Sequence, residues 1–123
     1  CTTYDLTVAL APDPCQALPP DAFEPNDDCA TATPLVPGNF AGLSAGIADL
    51  DHFSLTLAPS EVVSFGVVGL AAGERVHLYA WDPNVACGDP NPTFTSGYAE
   101  GPAGGGMYLA NTTTTPRTIV VQI

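Results

Sequence analysis

The chain has 123 residues and carries 13 acidic against 2 basic side chains, so its formal net charge at neutral pH is −11. This length suits one domain with a single hydrophobic core. Lysine is absent and Arg75 and Arg117 are the two basic residues, which argues against nucleic acid or an anionic membrane as a partner. No apolar run approaches the roughly 18 residues that a membrane-spanning helix needs. The composition indicates a compact acidic domain without a membrane span.

Glycine and proline, 12 and 13 residues respectively, are spread along the chain and leave almost no window for a helix of ordinary length. Between them, apolar and polar residues alternate with period two, which predicts half-buried β-strands. The alternating apolar residues are Tyr4, Leu6, Val8 and Leu10, then Phe53, Leu55 and Leu57, then Val63, Phe65 and Val67, then Val76, Leu78 and Ala80, then Met107 and Leu109, and finally Ile119, Val121 and Ile123. Many short strands separated by turns predict an all-β fold, an antiparallel β-sandwich of jelly-roll type.

The same pattern divides the chain into three parts. Residues 1–10 are predicted to form a strand, residues 11–20 a proline-rich linker, and residues 21–123 the body of the sandwich. The linker holds four prolines, and such a segment extends by roughly 3.1 Å per residue. Within the body, Gly101–Gly106 is predicted to be a flexible turn, and the strand around residues 76–81 is expected to bury both faces.

Cysteine usage indicates the compartment. The four residues Cys1, Cys15, Cys29 and Cys87 form an even number without Cys-x-x-Cys spacing. Together with the absence of lysine, this favours an exported protein with up to two disulfide bonds. Three connectivities are possible. We favour Cys15–Cys29, which clamps the linker to the body and leaves Cys1 for Cys87; free buried thiols and a lipid-bearing Cys1 are the alternatives.

Two acidic segments carry the most specific pattern. Residues 21–28 (DAFEPNDD) are followed, about twenty residues later, by residues 46–53 (GIADLDHF). With Ala30 and Ala32 in the intervening turn, this pattern resembles the bacterial pre-peptidase C-terminal domain, an accessory β-sandwich of secreted bacterial proteins. The resemblance extends over residues 21–123, and the collagen-binding modules of clostridial collagenases are similar. It implies an extracellular or cell-surface location on a bacterium.

The resemblance also implies a calcium site. In those relatives the Glu-x-Asn-Asp loop and the aspartate before the later strand hold Ca²⁺. The corresponding residues here are Glu24, Asn26, Asp27 and Asp51, with Asp49 as a further candidate. Calcium takes six to eight hard oxygen ligands, and a bound cation offsets the repulsion within an acidic cluster. The collagenase modules carry a further acid two residues before the first Glu, where this chain has Ala22.

A simpler role for the first acidic segment is turn capping. Asn26, Asp27 and Asp28 are residue types that accept hydrogen bonds from nearby backbone N–H groups. A thermal melt with calcium and with a chelator separates this interpretation from the calcium site.

Other reactive side chains do not form a catalytic pattern. Asp51 and His52 are neighbours, but successive side chains on a strand point to opposite faces. The chain has no Gly-x-Ser-x-Gly or His-Glu-x-x-His motif, so we predict a protein that is not an enzyme. Three aromatic residues are candidates for a polymer-binding surface, although core positions are the more common role of such residues: Tyr79, Trp81 and Tyr98. Residues 111–113 match the N-glycosylation triplet.

The order of the last strands differs from that of the family, whose domain ends in a hairpin. Arg117–Ile123 looks like the penultimate strand, and Thr3–Leu10 looks like the missing last one, so the order is circularly shifted. This predicts an open edge along Ile119, Val121 and Ile123. The face formed by Tyr4, Leu6, Val8 and Leu10 is expected to cover that edge, either in the same chain or in a neighbour.

The leading hypothesis is therefore a non-enzymatic exported structural protein. It assembles with copies of itself, head to tail, into an extracellular filament by inserting its N-terminal strand into the next subunit, where a Cys1–Cys87 bond locks the contact. The alternative is a monomeric calcium-binding accessory module of a secreted hydrolase that binds a protein or polysaccharide polymer. A third interpretation is one excised unit of a larger repeat protein.

Overall fold

The computed structural model describes residues 21–44, 49–84 and 94–123. These residues form seven strands and one 3₁₀ turn, and they contain no α-helix. The strands are β1 (Thr33–Pro34), β2 (His52–Leu57), β3 (Val62–Val67), β4 (Arg75–Trp81), β5 (Thr95–Glu100), β6 (Gly104–Ala110) and β7 (Arg117–Gln122). The all-β prediction is confirmed, and in the described part of the chain no helix is long and apolar enough to cross a membrane.

The described strands form one sheet in the order β1-β2-β7-β4-β5-β6-β3. Neighbours are antiparallel except β1 and β2, which are parallel. In a flat sheet β2 and β6 would lie far apart, yet their buried side chains belong to one core cluster. The sheet is therefore curled around its core. Two separate stacked sheets, as a sandwich implies, are not distinguished among these strands.

The core consists of residues that the alternation placed on inward faces. Its fully or nearly fully buried members are Leu57, Leu78, Ala80, Met107, Leu109, Ile119 and Val121. Half-buried residues packed against them are Leu55, Val63, Phe65, Val67, Phe94 and Ile123. Full burial of a Leu, Ile or Val side chain contributes about 1.5–3 kcal/mol, so this cluster supplies most of the driving force for curling the sheet.

The strand near the C-terminus is central, which corrects the predicted open edge. β7 pairs with β2 along its whole length and with β4 through residues 120–122. Ile119 and Val121 are completely buried, and Ile123 donates its N–H to the carbonyl of Asp51 at 2.9 Å. These residues do not line an open groove. Alternation identifies the inward face of a strand, but long-range pairing decides whether that strand lies at an edge.

The glycine-rich segment is half 3₁₀ turn and half strand, so the prediction of a flexible turn over its whole length is wrong. Gly101–Ala103 forms the 3₁₀ turn, and β6 begins at Gly104. A Cβ on Gly105 would collide with the carbonyl oxygen of Tyr98, and one on Gly106 with that of Phe65. Glycine is needed here because β6 approaches the backbones of both β5 and β3 closely.

Several predictions lie outside the described residues. They are the N-terminal strand with Tyr4, Leu6, Val8 and Leu10, the linker, and Cys1, Cys15 and Cys87. Cys29 is disulfide-bonded, and the pairing of the cysteines stays a prediction. The boundaries at residues 10 and 20 also stay predictions.

Candidate metal centre

The acidic loop that precedes β1 is anchored to the start of β2. The backbone N–H of His52 donates to the carbonyl oxygen of Asn26 at 2.9 Å, and the His52 Nδ1 lies 3.1 Å from the same oxygen. Phe23 packs edge-on against Phe53, with ring centroids 5.8 Å apart. These contacts bring residues 21–28 against the residues that lead into β2, although more than twenty positions separate them in sequence.

Five carboxylates converge at this junction in two groups. Ligand atoms of Asp21, Glu24 and Asp51 lie within 4.8 Å of one another, and so do those of Glu24, Asp27 and Asp49. Glu24 belongs to both groups, so the groups adjoin. Asp51 is buried, whereas Asp27 is exposed and the other three are half-buried. The structure thus brings together all five residues that the family resemblance implies, because Asn26 lies in the same loop.

Four oxygen atoms of this cluster are buried and have no hydrogen-bond partner. They are both carboxylate oxygens of Asp51, Oδ1 of Asn26 and Oε1 of Glu24; Nδ2 of Asn26 is also unpartnered. Asp51 and Asn26 are only 1% and 0% exposed. Each unsatisfied buried polar group costs about 1–3 kcal/mol, and a charged one costs more. A donor set of carboxylate and amide oxygens suits a hard cation such as Ca²⁺.

Two carboxyl groups of the cluster have raised pKa values. Burial raises the pKa of Asp51 to about 7; the side-chain amide of Asn26 opposes this rise, and the negative charges of Asp21, Asp49 and Glu24 add to it. For Glu24, the backbone N–H of Asn26 lowers the pKa, but burial and the neighbouring carboxyls outweigh it, and the pKa lies above its usual value. Both shifts show that the cluster disfavours its own negative charge.

Asp28 behaves differently from its neighbours. Its Oδ1 accepts hydrogen bonds from the N–H groups of Ala30 at 2.7 Å and Thr31 at 3.0 Å, and these bonds lower its pKa. The capping interpretation is correct for Asp28. It does not account for Asn26, whose side chain is buried next to the Asp51 carboxylate and caps no backbone N–H.

Asp21 is a member of the cluster that the sequence patterns did not indicate. Its two carboxylate oxygens accept hydrogen bonds from the N–H groups of Phe23 at 2.7 Å and Ser44 at 3.2 Å. Ala22 stands where the collagenase modules carry an acid, and Asp21 supplies a carboxylate from one position earlier. The sequence offered one indication of this role, because Asp21 is adjacent to the position where the collagenase modules carry an acid. Which of the two positions faces the cluster depends on the loop conformation.

The three candidate polymer-binding residues share the outward face of β4 and β5, but they differ in exposure. The rings of Tyr79 and Trp81 lie 5.4 Å apart, and Trp81 is 2% exposed whereas Tyr98 is 58% exposed. The guanidinium of Arg75 lies 5.5 Å from the Tyr98 ring. On the same face, His77 is exposed. The expectation that this strand buries both faces therefore holds only at its Trp81 end.

Asn111, the first residue of the N-glycosylation triplet, has a structural role in the fold. It is 1% exposed, and the two hydrogens of its Nδ2 are shared among the carbonyl oxygens of Leu57, Ala58 and Thr115, which lie 3.0, 3.1 and 2.9 Å away. Its Oδ1 accepts from the N–H of Thr113 at 3.0 Å. The side chain joins the turn after β2 to the turn after β6, and its buried amide nitrogen is not available to a sugar.

Comparisons with known proteins add no relative. No protein-family model matches the chain, and no curated protein and no solved structure matches it. The resemblance to pre-peptidase domains therefore depends on the two acidic segments alone. Among the described residues, the buried acidic cluster is the feature whose chemistry most clearly calls for a ligand.

Proposed function

We propose that this chain is a non-enzymatic structural domain stabilised by Ca²⁺ at the junction of the acidic loop with β2. The observation that supports the proposal is the set of four buried, unpartnered oxygen atoms on Asp51, Asn26 and Glu24. Asp51 also accepts the N–H of Ile123 through its backbone carbonyl at 2.9 Å. A cation held here ties together the loop, the start of β2 and the chain end that follows β7.

Each side chain has a distinct part in this proposal. Asp51 and Glu24 supply charged oxygens, and Asn26 supplies a neutral one. Asp21 completes the inner group, with its carboxylate oriented by two backbone N–H donors. Asp27 and Asp49 form the outer group with Glu24, where they add negative charge that draws a cation to the loop. The cation supplies the positive charge that lets these carboxylates ionise together.

Calorimetric titration of the full chain with CaCl₂, after dialysis against a chelator, tests the proposal. We expect saturable binding in the wild type and none in Asp51→Asn. Asp28→Asn is the matched control, since it makes the same change of charge at a carboxylate that caps a turn outside the cluster. Absence of binding to the wild type overturns the proposal, and so does equal loss in both variants.

We further propose that the protein is exported to the surface of a bacterium, as a pre-peptidase-type module, and assembles head to tail with copies of itself. The even cysteine count and the absence of lysine support export. The alternating segment Thr3–Leu10 and the proline-rich linker support strand donation. Light scattering of the purified chain with calcium tests assembly. We expect particles far larger than the 12.6 kDa chain, and a clean monomer overturns it.

A second candidate function is polymer binding by a monomeric accessory module. The exposed ring of Tyr98 beside the half-buried Tyr79 is the observation that favours it, whereas the burial of Trp81 removes one of its three expected contacts. Retention of a monomeric chain on insoluble collagen or polysaccharide, lost in Tyr98→Ala, supports this function. Retention that Tyr98→Ala leaves unchanged contradicts it.

A further inference from the structure

Within the described part of the chain, β3 is an outer strand of the sheet. It pairs with β6 on one side, and no strand of the described residues pairs with its other side. The N–H of Asn111 donates to the carbonyl of Glu61 at 2.8 Å, one position before the Val62–Ala110 pair. Because bonded pairs alternate along an antiparallel ladder, this bond fixes the phase. The N–H and C=O groups of Val62, Ser64 and Gly66 therefore face away from β6.

The hydrophobic core is incompletely covered along the same strand. The inward side chains Val63, Phe65 and Val67 pack against the core, yet all three are only half-buried. In the central strand β7, by contrast, the inward side chains Ile119 and Val121 are 0% exposed. Part of the apolar surface of β3 therefore remains open to water.

The two ends of the sheet differ in their protection. β1 is two residues long and contains Pro34, which has no N–H to offer to an incoming strand. β3 is six residues long and contains neither proline nor a charged residue. Natural edge strands are usually shortened, charged or interrupted by proline, because a long apolar edge pairs with other chains. β3 has none of these protections, which is expected of an edge that receives a partner.

We propose that the edge of β3 receives the segment Thr3–Leu10 of a second copy of this chain. The inference rests on the self-assembly proposed above, and it moves the acceptor from β7 to β3. The segment has eight residues, enough to span the six of β3. When the segment pairs with this edge, its apolar side chains Tyr4, Leu6, Val8 and Leu10 lie beside the half-buried side chains of β3.

The linker favours a second copy over the same chain. Residues 11–20 contain four prolines, a composition that extends a chain by about 3.1 Å per residue and resists the reversal needed to fold back. Under this proposal, a linker of such composition presents Thr3–Leu10 to the β3 edge of a neighbour. Because donor and acceptor are different surfaces, the contact is heterologous and repeats from subunit to subunit as an open chain.

Substitutions at Ser64 in the full-length protein test the acceptor edge. Ser64→Pro removes an N–H that faces the free edge and leaves the bonds of Val63 and Phe65 to β6 in place. We expect its association constant, measured by light scattering with calcium, to fall about tenfold or more. Ser64→Thr keeps the N–H and is expected to associate like the wild type. Circular dichroism checks the fold, and Val62→Lys replaces Ser64→Pro if the latter does not fold.

A second pair of substitutions tests the donor. Leu6→Asp places a charge on the face that meets β3, and Thr7→Asp places the same charge on the opposite face. We expect Leu6→Asp to abolish association and Thr7→Asp to retain it. If the wild type, Ser64→Pro and Val62→Lys associate equally, the β3 edge is not the acceptor. That result would leave the proposal of self-assembly intact. A wild type that stays monomeric with calcium overturns self-assembly and this inference together, since the segment then pairs within its own chain or not at all.

Discussion

β2 has a buried asparagine near each end, and the two residues have opposite environments. Asn111, beyond the C-terminal end, shares its two Nδ2 hydrogens among three carbonyl oxygens and accepts through Oδ1. Asn26, beside the N-terminal end, is equally buried, and its side-chain atoms have no partner. The carboxylate of Asp51 next to it is unpartnered as well.

The contrast distinguishes a structural polar site from a ligand site. A buried amide that serves only the fold is satisfied by the protein itself, as Asn111 is. At the other end, the loop conformation is maintained by backbone contacts to His52 while the side-chain oxygens stay unused. The contacts of Asn111, at the C-terminal end of β2, should therefore stabilise the fold without calcium. The cluster around Asn26 and Asp51, at the N-terminal end, should stabilise it only when calcium is bound.

The largest expected effect on the free energy of unfolding is at Asn111, whose side chain is hydrogen-bonded by the protein itself. Asn111→Ala removes both donor hydrogens and the acceptor oxygen of a buried amide and should lower the free energy of unfolding by about 3 kcal/mol. Urea unfolding of the wild type and the variant, in calcium and in chelator, measures it. The difference should be the same in both solutions. A loss that appears only with calcium would mean that the two ends of β2 are coupled.

The second-largest expected effect is on the stability of Asp51→Asn, and it depends on calcium. At a free calcium concentration 100 times the dissociation constant, binding stabilises the wild type by about 2.7 kcal/mol, and Asp51→Asn should lose this gain. In chelator at pH 7.5 the variant should be at least as stable as the wild type, because it lacks an uncompensated buried charge. Thermal melts in both solutions measure this. A variant that is strongly destabilised in chelator would assign Asp51 a purely structural role.

The pH dependence of the metal-free protein follows from the raised pKa of Asp51. With a folded-state pKa of about 7 and an unfolded value of about 3.9, the folded state holds more protons between these values. Stability then falls as pH rises. From pH 5 to 7 the expected loss is about 2 kcal/mol, since each pH unit corresponds to about 1.4 kcal/mol.

Saturating calcium should remove or reverse this trend, because the cation binds the ionised carboxylate. Urea unfolding at several pH values, with chelator and with calcium, measures both curves. Metal-free stability that rises from pH 5 to 7 contradicts the assignment of Asp51.

The smallest expected effect is a difference in calcium affinity between substitutions of two acids in the same loop, Asp21 and Asp28. Asp21→Asn should weaken calcium binding by about tenfold, or roughly 1.4 kcal/mol, because it removes one charge from the inner group. Asp28→Asn should change the affinity little, since an asparagine side chain also accepts the turn hydrogen bonds. Calorimetric titration compares the two variants. Equal affinities would place Asp21 outside the site.

The candidate site was predicted in part. The segments around Glu24 and Asp51 stand out in the sequence because carboxylates and an amide cluster there, and the structure brings both segments together. Asp21 and Asp28 differ in role although both flank the motif. That difference depends on which backbone N–H groups each carboxylate meets, and a folded loop decides it.

For the fold, the amino-acid sequence by itself determined that the chain forms β-strands and which side chains face inward, because breakers exclude helices and alternation is a local property. Only the tertiary structure decided that β7 is central, that β3 is an outer strand among the described residues and that Gly105 lies within a strand. Strand order and backbone approach arise from pairings between residues far apart in sequence, and no local pattern records them. The net charge of −11 is likewise a property of composition, but the burial of Asp51 within the acidic cluster is a product of the fold.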